Sequence, residues 1–318
     1  MRAEIAGVGS YLPRRILTNE ELARSVDTSD AWIAERTGIR ERRIAGEDET
    51  ACYMATAAAR DALEHADVAA DQVDAIILAT STPDQVFPAV SLRVQAALGI
   101  TRGFGFDLSA ACSGFVYALS VADQMMRAGS LRHVLVIGVE VFSRIVDWKD
   151  RGTCVLFGDG AGAVLLRATE DDSRGIISTH LHADGRLGDI LYVDGAVGRE
   201  ETPNTVVMNG REVFRHAVSK LSEAVEEALA ANGLTAADVD WLVPHQANLR
   251  IIEAMGKKLG LAHDRVVITV DRHGNTSAAS IPLALAEACR DGRIKRGDLV
   301  LMEALGAGLT WGSALVRY

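Results

Sequence analysis

The chain contains an internal repeat, and this repeat limits the folds open to it more than any other feature. Residues 60–81, RDALEHADVAADQVDAIILATS, align without a gap with residues 226–247, EEALAANGLTAADVDWLVPHQA. Each copy has the pattern of a helix, a short acidic turn and a buried strand. Two further pairs of segments continue the match in the same order: 113–138 with 276–303, and 161–167 with 311–317. A second helix is expected in each copy, ending in AALG or KKLG.

The repeat predicts two similar α/β halves, residues 1–170 and 171–318. Residues 114–126 and 277–289 are apolar on almost every side. A helix without a polar face is buried all round. One such helix in each half suggests a central helical layer between two sheets. The alternative is one deeply buried helix in each of two separate domains, but the close equivalence of the halves favours a shared core.

Composition excludes several classes of protein. The 318 residues are 48% hydrophobic and 24% charged, as in a soluble globular protein. The net charge of −10 argues against general nucleic-acid binding, and no apolar run reaches the ~20 residues of a membrane span. The first residues, MRAEIAGVGSYLP, lack the apolar core of a signal peptide. Scattered cysteines without a CxxC pair predict no zinc site and fit a reducing cytoplasm: Cys52, Cys112, Cys154 and Cys289.

One cysteine has the surroundings of a nucleophile. Cys112 lies in DLSAACSGFVYAL, residues 107–119, immediately before the apolar segment 114–126. The N-terminus of a helix lowers the pKa of a thiol, and the small neighbouring residues leave room for a substrate. The alternative is a small buried residue without a chemical role, since cysteine is among the most buried residue types.

Two further polar residues can join Cys112. In this part of the repeat the two copies differ by 163 residues, which places Asn275 opposite Cys112 at the interface of the halves, where ligands commonly bind. His245 follows the strand Trp241–Val243, and strand ends are usual binding sites. Together the three groups suit acyl transfer through a thioester and stabilisation of an enolate-like oxygen. Alternatively, His245 caps the helix that begins near Asn248, and Asn275 is a turn or N-cap residue.

Three segments resemble the active-site motifs of one family. DLSAACSGF, VPHQANLRII and DRHGNTSAAS are similar to those of β-ketoacyl-acyl carrier protein synthase III, a member of the thiolase superfamily. The resemblance extends over essentially the whole chain, from GVGSYLP to GLTWGSALVRY. It implies an α/β fold, the thiolase-like five-layer αβαβα sandwich built from two pseudo-repeats.

The resemblance implies a decarboxylative Claisen condensation. Acetyl-CoA and malonyl-acyl carrier protein would give acetoacetyl-acyl carrier protein, coenzyme A and CO2, which starts type II fatty-acid synthesis. Cys112 would be the nucleophile, and His245 and Asn275 would bind the malonyl thioester carbonyl. The backbone N–H groups of Cys112 and Ala307 would form the oxyanion hole. Coenzyme A thioester is a substrate, and no cofactor or metal is implied.

The loop LGAGLTWG departs from the family at two positions, because Leu305 and Ala307 stand where relatives often have phenylalanine and glycine. Alanine at position 307 would be strained if that position required a positive φ. The resemblance assigns Leu305 to the acyl pocket. It also assigns there Phe87, a residue that a partner subunit inserts, which implies a homodimer.

The resemblance further implies a coenzyme A site. Trp32 and Arg36 are four residues apart on one predicted helix face, where a nucleotide base can stack. The alternative is an ordinary solvated, salt-bridged helix. The residues assigned to coenzyme A are Thr28, Trp32, Arg36, Arg151, Phe214, Ala247 and Asn248.

Docking of the acyl carrier protein requires a local positive patch, because that partner is acidic and this chain is too. The alternative is a set of solvated surface charges. The residues assigned to the docking surface are Arg211, Arg215, Gln246, Ala247, Arg250, Lys257 and Lys258.

Other reactions of the superfamily fit the sequence less well. A degradative thiolase needs a second cysteine in the C-terminal glycine loop, and LGAGLTWG has none. Elongating condensing enzymes use two histidines, whereas Asn275 occupies the second place here. Plant-type polyketide synthases are longer. A synthase III homologue of secondary metabolism with another primer remains open, as does a non-catalytic acyl-binding subunit.

Overall fold

The computed structural model describes residues 2–129, 131–195 and 204–318. The strands of these residues are, in chain order, β1 (Arg2–Tyr11), β2 (Arg15–Thr18), β3 (Glu41–Ile44), β4 (Ala75–Ala79), β5 (Phe104–Leu108), β6 (His133–Val141), β7 (Asp159–Thr169), β8 (Gly175–Ala183), β9 (Leu191–Asp194), β10 (Thr205–Met208), β11 (Trp241–Pro244), β12 (Leu299–Gly306) and β13 (Thr310–Arg317). The α-helices are α1 (Asn19–Leu22), α2 (Asp30–Thr37), α3 (Ala51–Ala66), α4 (Val90–Ala97), α5 (Gly114–Arg127), α6 (Gly210–Ala231), α7 (Leu249–Lys258), α8 (Val270–His273) and α9 (Ser280–Arg290).

Two mixed sheets form the framework. The first has the order β1-β7-β6-β4-β5, with β4 parallel to both β5 and β6, and its strands lie between residues 2 and 169. The second has the order β11-β12-β13-β8, with β11 parallel to β12, and its strands lie between residues 175 and 317. The proposed boundary between residues 170 and 171 therefore falls between β7 and β8.

Helices α5 and α9 pack between the two sheets. Their side chains join one apolar cluster with both sheets, for example Val116 of α5 and Ile281 of α9 with Val136 of β6 and Met302 of β12. Each fully buried side chain of this size contributes about 1.5–3 kcal/mol relative to an exposed one. The apolar segments of the sequence thus form the predicted central layer, because only a position between two sheets buries a helix on all sides.

The outer faces of the sheets are covered by the remaining long helices. Helix α3 lies on the first sheet, where Met54 packs with Leu135, and α6 lies on the second, where Leu221 packs with Leu301. Helix α3 approaches β1 closely, because a Cβ at Gly9 would lie 2.1 Å from the carbonyl oxygen of Ala58. The result is the predicted five-layer αβαβα sandwich. No α-helix in the described ranges has the length and apolarity to cross a membrane.

The repeat is visible in the elements, with one correction. Each copy of the first match folds as predicted, into α3 and β4 or α6 and β11, with a 3₁₀ turn between. The central helices are each preceded by a 3₁₀ turn, Ala111–Ser113 or Ser277–Ala279, with φ of +46° at Ala111 and +48° at Ser277.

These turns begin at residues 111 and 277, which differ by 166, whereas the helices end at 127 and 290, which differ by 163. Helix α9 is shorter than α5, with 11 residues against 14. The equivalence of Cys112 with Asn275 is therefore wrong. Cys112 corresponds to Ala278, and Asn275 lies ahead of that turn.

Candidate active site

The three candidate catalytic residues line one cavity between the halves. It encloses about 770 Å³, including its open mouth, and Cys112, His245 and Asn275 all contribute to its wall. Four other predicted residues also line it: Phe214, Ala247, Asn248 and Leu305. The structure thus brings together residues that are up to 193 positions apart in the sequence, Cys112 and Leu305.

Cys112 lies in the 3₁₀ turn between β5 and α5 and is 7% exposed. Burial raises the pKa of its thiol to about 12, although a hydrogen bond with the side chain of Ser277 lowers it in part. Burial therefore opposes the lowering of the thiol pKa that is expected from the helix N-terminus, because desolvation disfavours the charged form.

His245 follows β11, and two contacts fix its place. Its backbone N–H donates to the carbonyl of Glu303 at 2.8 Å, and its Nδ1 is 2.6 Å from Ser280 Oγ at the start of α9. Burial lowers the pKa of the imidazole to about 3, so the ring is neutral near pH 7. With Nδ1 occupied by Ser280, Nε2 is the nitrogen left to a substrate. The capping alternative is wrong, because Asn248 caps α7 by accepting the Arg250 N–H at 2.9 Å.

Asn275 has its backbone and one side-chain atom fixed. Its N–H donates to Leu156 at 2.8 Å, its carbonyl accepts from Gly158 at 3.0 Å, and its Oδ1 accepts the Ser277 N–H at 2.9 Å. The turn role considered from the sequence is therefore present. Asn275 can also donate a hydrogen bond to a substrate, because Oδ1 is occupied and the Nδ2 amide remains as an uncharged donor.

The C-terminal glycine loop packs directly on the cysteine turn. A Cβ at Gly306 would lie 2.6 Å from the backbone nitrogen of Cys112, so only glycine fits there. Thr310 ties the loop to this turn, because its Oγ1 donates to the carbonyl of Ala110 at 3.0 Å and its own carbonyl accepts from Ser113 Oγ at 2.8 Å. Ala307 does not have a positive φ, so the strain considered from the sequence is absent.

The remaining coenzyme A candidates form a cluster outside the cavity lining. The guanidinium carbons of Arg36 and Arg151 lie 4.5 Å and 5.1 Å from the centre of the Trp32 ring. The Thr28 hydroxyl is buried there and has no hydrogen-bond partner among the described residues. Asn248 connects this cluster to the cavity, because its Nδ2 donates to the carbonyl of Arg36 at 3.1 Å.

Phe87 does not line the cavity of its own chain. It is 82% exposed, in the loop between β4 and α4, and Val86 beside it is 67% exposed. Among the described residues these are the most exposed large apolar side chains. A side chain of this kind is available to another molecule.

One of the docking assignments is wrong. Gln246 is fully buried, so it cannot contact a carrier protein. Its Nε2 donates to the carbonyls of Pro244 and Val267, and its Oε1 accepts from the N–H groups of Thr269 and Val270. These four bonds hold the loop after β11 against the segment that leads to α8.

The cations assigned to docking are all exposed: Arg211, Arg215, Arg250, Lys257 and Lys258. They lie on α6 and α7, beside the cavity wall that both helices supply. Arg250 also donates to the carbonyl of Glu35 at 3.1 Å, and Lys258 pairs with Glu226 at 3.2 Å.

The sequence analysis missed several groups around the cavity. Glu140 and Glu303 are carboxylates at 0% and 1% exposure inside strands that are otherwise apolar, VLVIGVEV and LVLMEALG. A carboxylate in such a strand could have been recognised in the sequence as a candidate functional residue, because an unpaired buried charge is costly. Gly306 could be recognised only as part of the glycine loop LGAGLTWG. Ser277 and Ser280 carried no signal of their own.

Comparison with known proteins agrees with this geometry. The family model for 3-oxoacyl-[acyl-carrier-protein] synthase III matches residues 106–185, and the model for its C-terminal part matches residues 229–318. The β-ketoacyl-[acyl-carrier-protein] synthase III of Acidiphilium cryptum is 71% identical over all of this chain and 99% of that protein.

This chain belongs to the β-ketoacyl-acyl carrier protein synthase III family. It is an acyltransferase of the condensing type. The crystal structure of 3-oxoacyl-[acyl-carrier-protein] synthase III from Aquifex aeolicus superposes with a TM-score of 0.95 at 49% identity, covering 99% of this chain and all of that one. The priming β-ketosynthase of the R1128 polyketide pathway, at 40% identity, has a TM-score of 0.94 and covers 99% of this chain and 96% of that one. Both structures share the fold of this chain over 99% of its length.

Proposed function

We propose that this synthase III condenses acetyl-CoA with malonyl-acyl carrier protein to start type II fatty-acid synthesis. The products are acetoacetyl-acyl carrier protein, coenzyme A and CO2. The observation that carries the proposal is the joint presence of Cys112, His245 and Asn275 in the wall of one cavity. A thiol, a neutral imidazole and a neutral amide suit a reaction that passes through a thioester and an enolate.

In the first half-reaction the Cys112 sulfur attacks the thioester carbonyl of acetyl-CoA. The carbon–sulfur bond to coenzyme A breaks, and the proton that leaves Cys112 ends on the coenzyme A thiol. The backbone N–H groups of Cys112 and Ala307 hold the oxyanion. Packing of Gly306 on the Cys112 nitrogen supports this role, because it brings the two loops into direct contact.

In the second half-reaction malonyl-acyl carrier protein loses CO2. His245 Nε2 and Asn275 Nδ2 donate to the thioester carbonyl and stabilise the enolate. Its carbon attacks the acetyl group, forming a carbon–carbon bond and breaking the bond to Cys112 sulfur, which takes up one proton. A buried, neutral His245 supports this role, because it keeps the same protonation state throughout.

The experiment is a condensation assay with acetyl-CoA and malonyl-acyl carrier protein, with product identified by mass spectrometry. We expect acetoacetyl-acyl carrier protein from the wild type. Cys112→Ser should form none, because a serine hydroxyl is a far weaker nucleophile than a thiol. Wild-type protein that forms no product with any acyl-CoA would refute the proposal.

Coenzyme A is proposed to extend from the cavity to the Trp32 cluster, with its adenine between Trp32 and Arg151. Arg36 and Thr28 lie near the base, and Asn248 binds the pantetheine arm beside Ala247 and Phe214. The cation stacking on Trp32 supports this, because a base can take the place of a guanidinium on the ring. The cluster and cavity are continuous through Asn248.

The chain is proposed to act as a homodimer in which Phe87 reaches the acyl pocket of the partner subunit, near Leu305. The high exposure of Phe87 and Val86 supports this. Sedimentation should give a mass twice that of the chain. Phe87→Ala should widen the pocket and raise activity with longer primers, whereas a monomeric active enzyme would refute the arrangement.

Acyl carrier protein is proposed to dock on the exposed cations of α6 and α7. No cofactor is needed for the proposed chemistry, and the enzyme is proposed to work in the cytoplasm.

A role in secondary metabolism with another primer is the second candidate. It is favoured by the 40% identity with the priming β-ketosynthase. Competition between acetyl-, butyryl- and isobutyryl-CoA separates the two candidates, because preference for acetyl-CoA is expected only of the first.

A further inference from the structure

Ser277 holds a backbone conformation that the proposed catalytic roles leave unexplained. It is fully buried, and its φ of +48° lies in the left-handed region that favours glycine. A non-glycine residue held there costs about 1–3 kcal/mol and persists only where surrounding contacts fix it. The contacts of Ser277 therefore indicate which interactions require this backbone conformation.

Ser277 contacts two of the proposed catalytic residues, Asn275 and Cys112. Its backbone N–H donates to Asn275 Oδ1 at 2.9 Å, the bond that leaves Asn275 Nδ2 for the substrate. Its side chain interacts with the Cys112 thiol. The two turns that carry these residues pack against each other, since a Cβ at Gly114 would lie 3.4 Å from that of Ala278.

The third partner of Ser277 is a carboxylate of the other half. Ser277 Oγ donates to Glu140 Oε1 at 3.2 Å, and Glu140 lies near the end of β6. The same carboxylate accepts from the Ser81 N–H at 3.1 Å and from Thr82 Oγ1 at 2.6 Å. Glu140 is fully buried and forms no ion pair with the part of the chain that the structure describes.

A buried carboxylate held by neutral donors fixes their directions. Burial raises the pKa of Glu140 to about 7, although hydrogen bonds from its neighbours, Ser277 included, lower it in part. Above that pH the carboxylate is ionised and only accepts hydrogen bonds, so the Ser277 hydroxyl points its hydrogen at Glu140. This bond holds the Ser277 side chain beside the Cys112 thiol. Bonds to a charged acceptor are roughly twice as strong as neutral ones, so this orientation is well held.

We infer that Glu140 and Ser277 form a positioning pair that fixes Cys112 and Asn275 in one reactive geometry. The inference rests on the proposed roles of those two residues. Glu140 comes from one half of the molecule, and Ser277 and Asn275 come from the other. The pair therefore also sets the register between the halves at the point where both half-reactions occur.

The test is Glu140→Gln, which keeps the shape but replaces one acceptor oxygen with a donor amide. That amide must face Ser277 at the Oε1 position or Thr82 at the Oε2 position, and in either case the glutamine lacks the charge that holds the Ser277 hydroxyl. Displacement of reacting groups by about 1 Å can cost about a hundredfold in rate, so we expect kcat to fall tenfold or more. KM for acetyl-CoA should stay within about twofold, because the Trp32 cluster is untouched.

The two half-reactions are measured separately. Acetylation of Cys112 is followed by intact mass, and decarboxylation of malonyl-acyl carrier protein is followed without a primer. Both should slow in Glu140→Gln. Ser277→Ala removes the hydroxyl but keeps the N–H bond to Asn275, so acetylation should slow more than decarboxylation. Glu140→Asp keeps two acceptor oxygens and should recover part of both rates.

Thr82→Val is the matched control, because it removes a donor to the same carboxylate without touching Ser277. Its melting temperature should fall while its rate per folded molecule stays near that of the wild type. Unchanged rates in both Glu140→Gln and Ser277→Ala would overturn the inference. So would a loss that disappears once rates are corrected for the folded fraction. Absence of both half-reactions in the wild type would instead count against the proposed function.

Discussion

At the scale of single residues, protonation at the site is set by burial. The thiol of Cys112 is removed from water, and so is the imidazole of His245, so both favour their uncharged forms. The helix that begins at Gly114 favours a thiolate at Cys112. These effects act in opposite directions on the thiol, and their balance can be measured.

The alkylation rate of Cys112 with iodoacetamide should rise with pH beyond pH 9. The reason is that only the thiolate reacts, and burial raises the pKa of this thiol to about 12. The rate is followed by intact mass between pH 6 and 10, with Cys112→Ser to correct for the other cysteines. A plateau below pH 8 would show that the helix N-terminus outweighs burial.

Substitutions at two adjacent positions of the glycine loop should differ strongly in their effect on kcat. Gly306→Ala should reduce kcat by about a hundredfold. The new Cβ would lie 2.6 Å from the backbone nitrogen of Cys112, so that nitrogen must move and the proposed oxyanion hole is disturbed. Ala307→Gly should keep kcat within about threefold, because position 307 has no positive φ and loses only a methyl group. Steady-state kinetics of both variants decide, and equal effects would contradict the prediction.

Residues with reactive side chains were predictable from the sequence, and those that only position them were not. Cys112, His245 and Asn275 lie in long motifs whose chemistry can be read directly. Gly306 acts through the absence of a side chain. Gln246 was mistaken for a docking residue because it adjoins His245, and the sequence does not show that its amide points into the protein.

At the scale of elements, a buried amide joins the loops that carry two catalytic candidates. Gln246 follows His245, and its four bonds reach the segment before α8, a few residues ahead of Asn275. Each group left unpaired by its loss costs about 1–3 kcal/mol. The Gln246 side chain therefore stabilises the two loops that carry His245 and Asn275.

Gln246→Leu should lower the free energy of unfolding by about 3 kcal/mol or more, because it leaves buried backbone groups without partners. KM for malonyl-acyl carrier protein should not change. Arg250→Glu should do the reverse and raise that KM about tenfold without a loss of stability, because Arg250 is exposed on the proposed docking surface. Urea unfolding and steady-state kinetics test the pair. An unchanged KM in Arg250→Glu would exclude this residue from docking.

The repeat predicted the order of elements well because helix and strand periodicities survive substitution. It failed at the start of α9, where the offset changes from 166 to 163 between one end of the helix and the other. The sequence pattern does not show that one helix is shorter than the other when both helices are apolar on all sides.

At the scale of the whole molecule, buried carboxylates couple folding to pH. Burial raises the pKa of Glu303 from its usual 4.5 to about 8, and its Oε2 has no hydrogen-bond partner in the described part of the chain. The folded state therefore holds a proton that the unfolded state releases. This contribution to stability is present in full below pH 4.5 and is lost as the pH rises to about 8.

Glu303→Gln should remove this dependence, because an amide does not titrate. The free energy of unfolding of the wild type, minus that of the variant, should fall between pH 5.5 and 8 by up to about 1.4 kcal/mol per pH unit. Buried His245 and His273, with pKa values of about 3, act in the opposite direction below pH 6.5 and are present in both proteins. A difference that is constant across this range would contradict the assignment.

The matched turns at Ala111–Ser113 and Ser277–Ala279 bear on how many acyl groups a chain can carry. Their backbones are alike, so both places could present a nucleophile at the start of a central helix. Cys112 occupies one, and Ala278, which has no reactive atom, occupies the other. With Cys112 as the proposed nucleophile, the two turns offer one place for a covalently bound acyl group, and the second turn holds Ser277 of the proposed positioning pair.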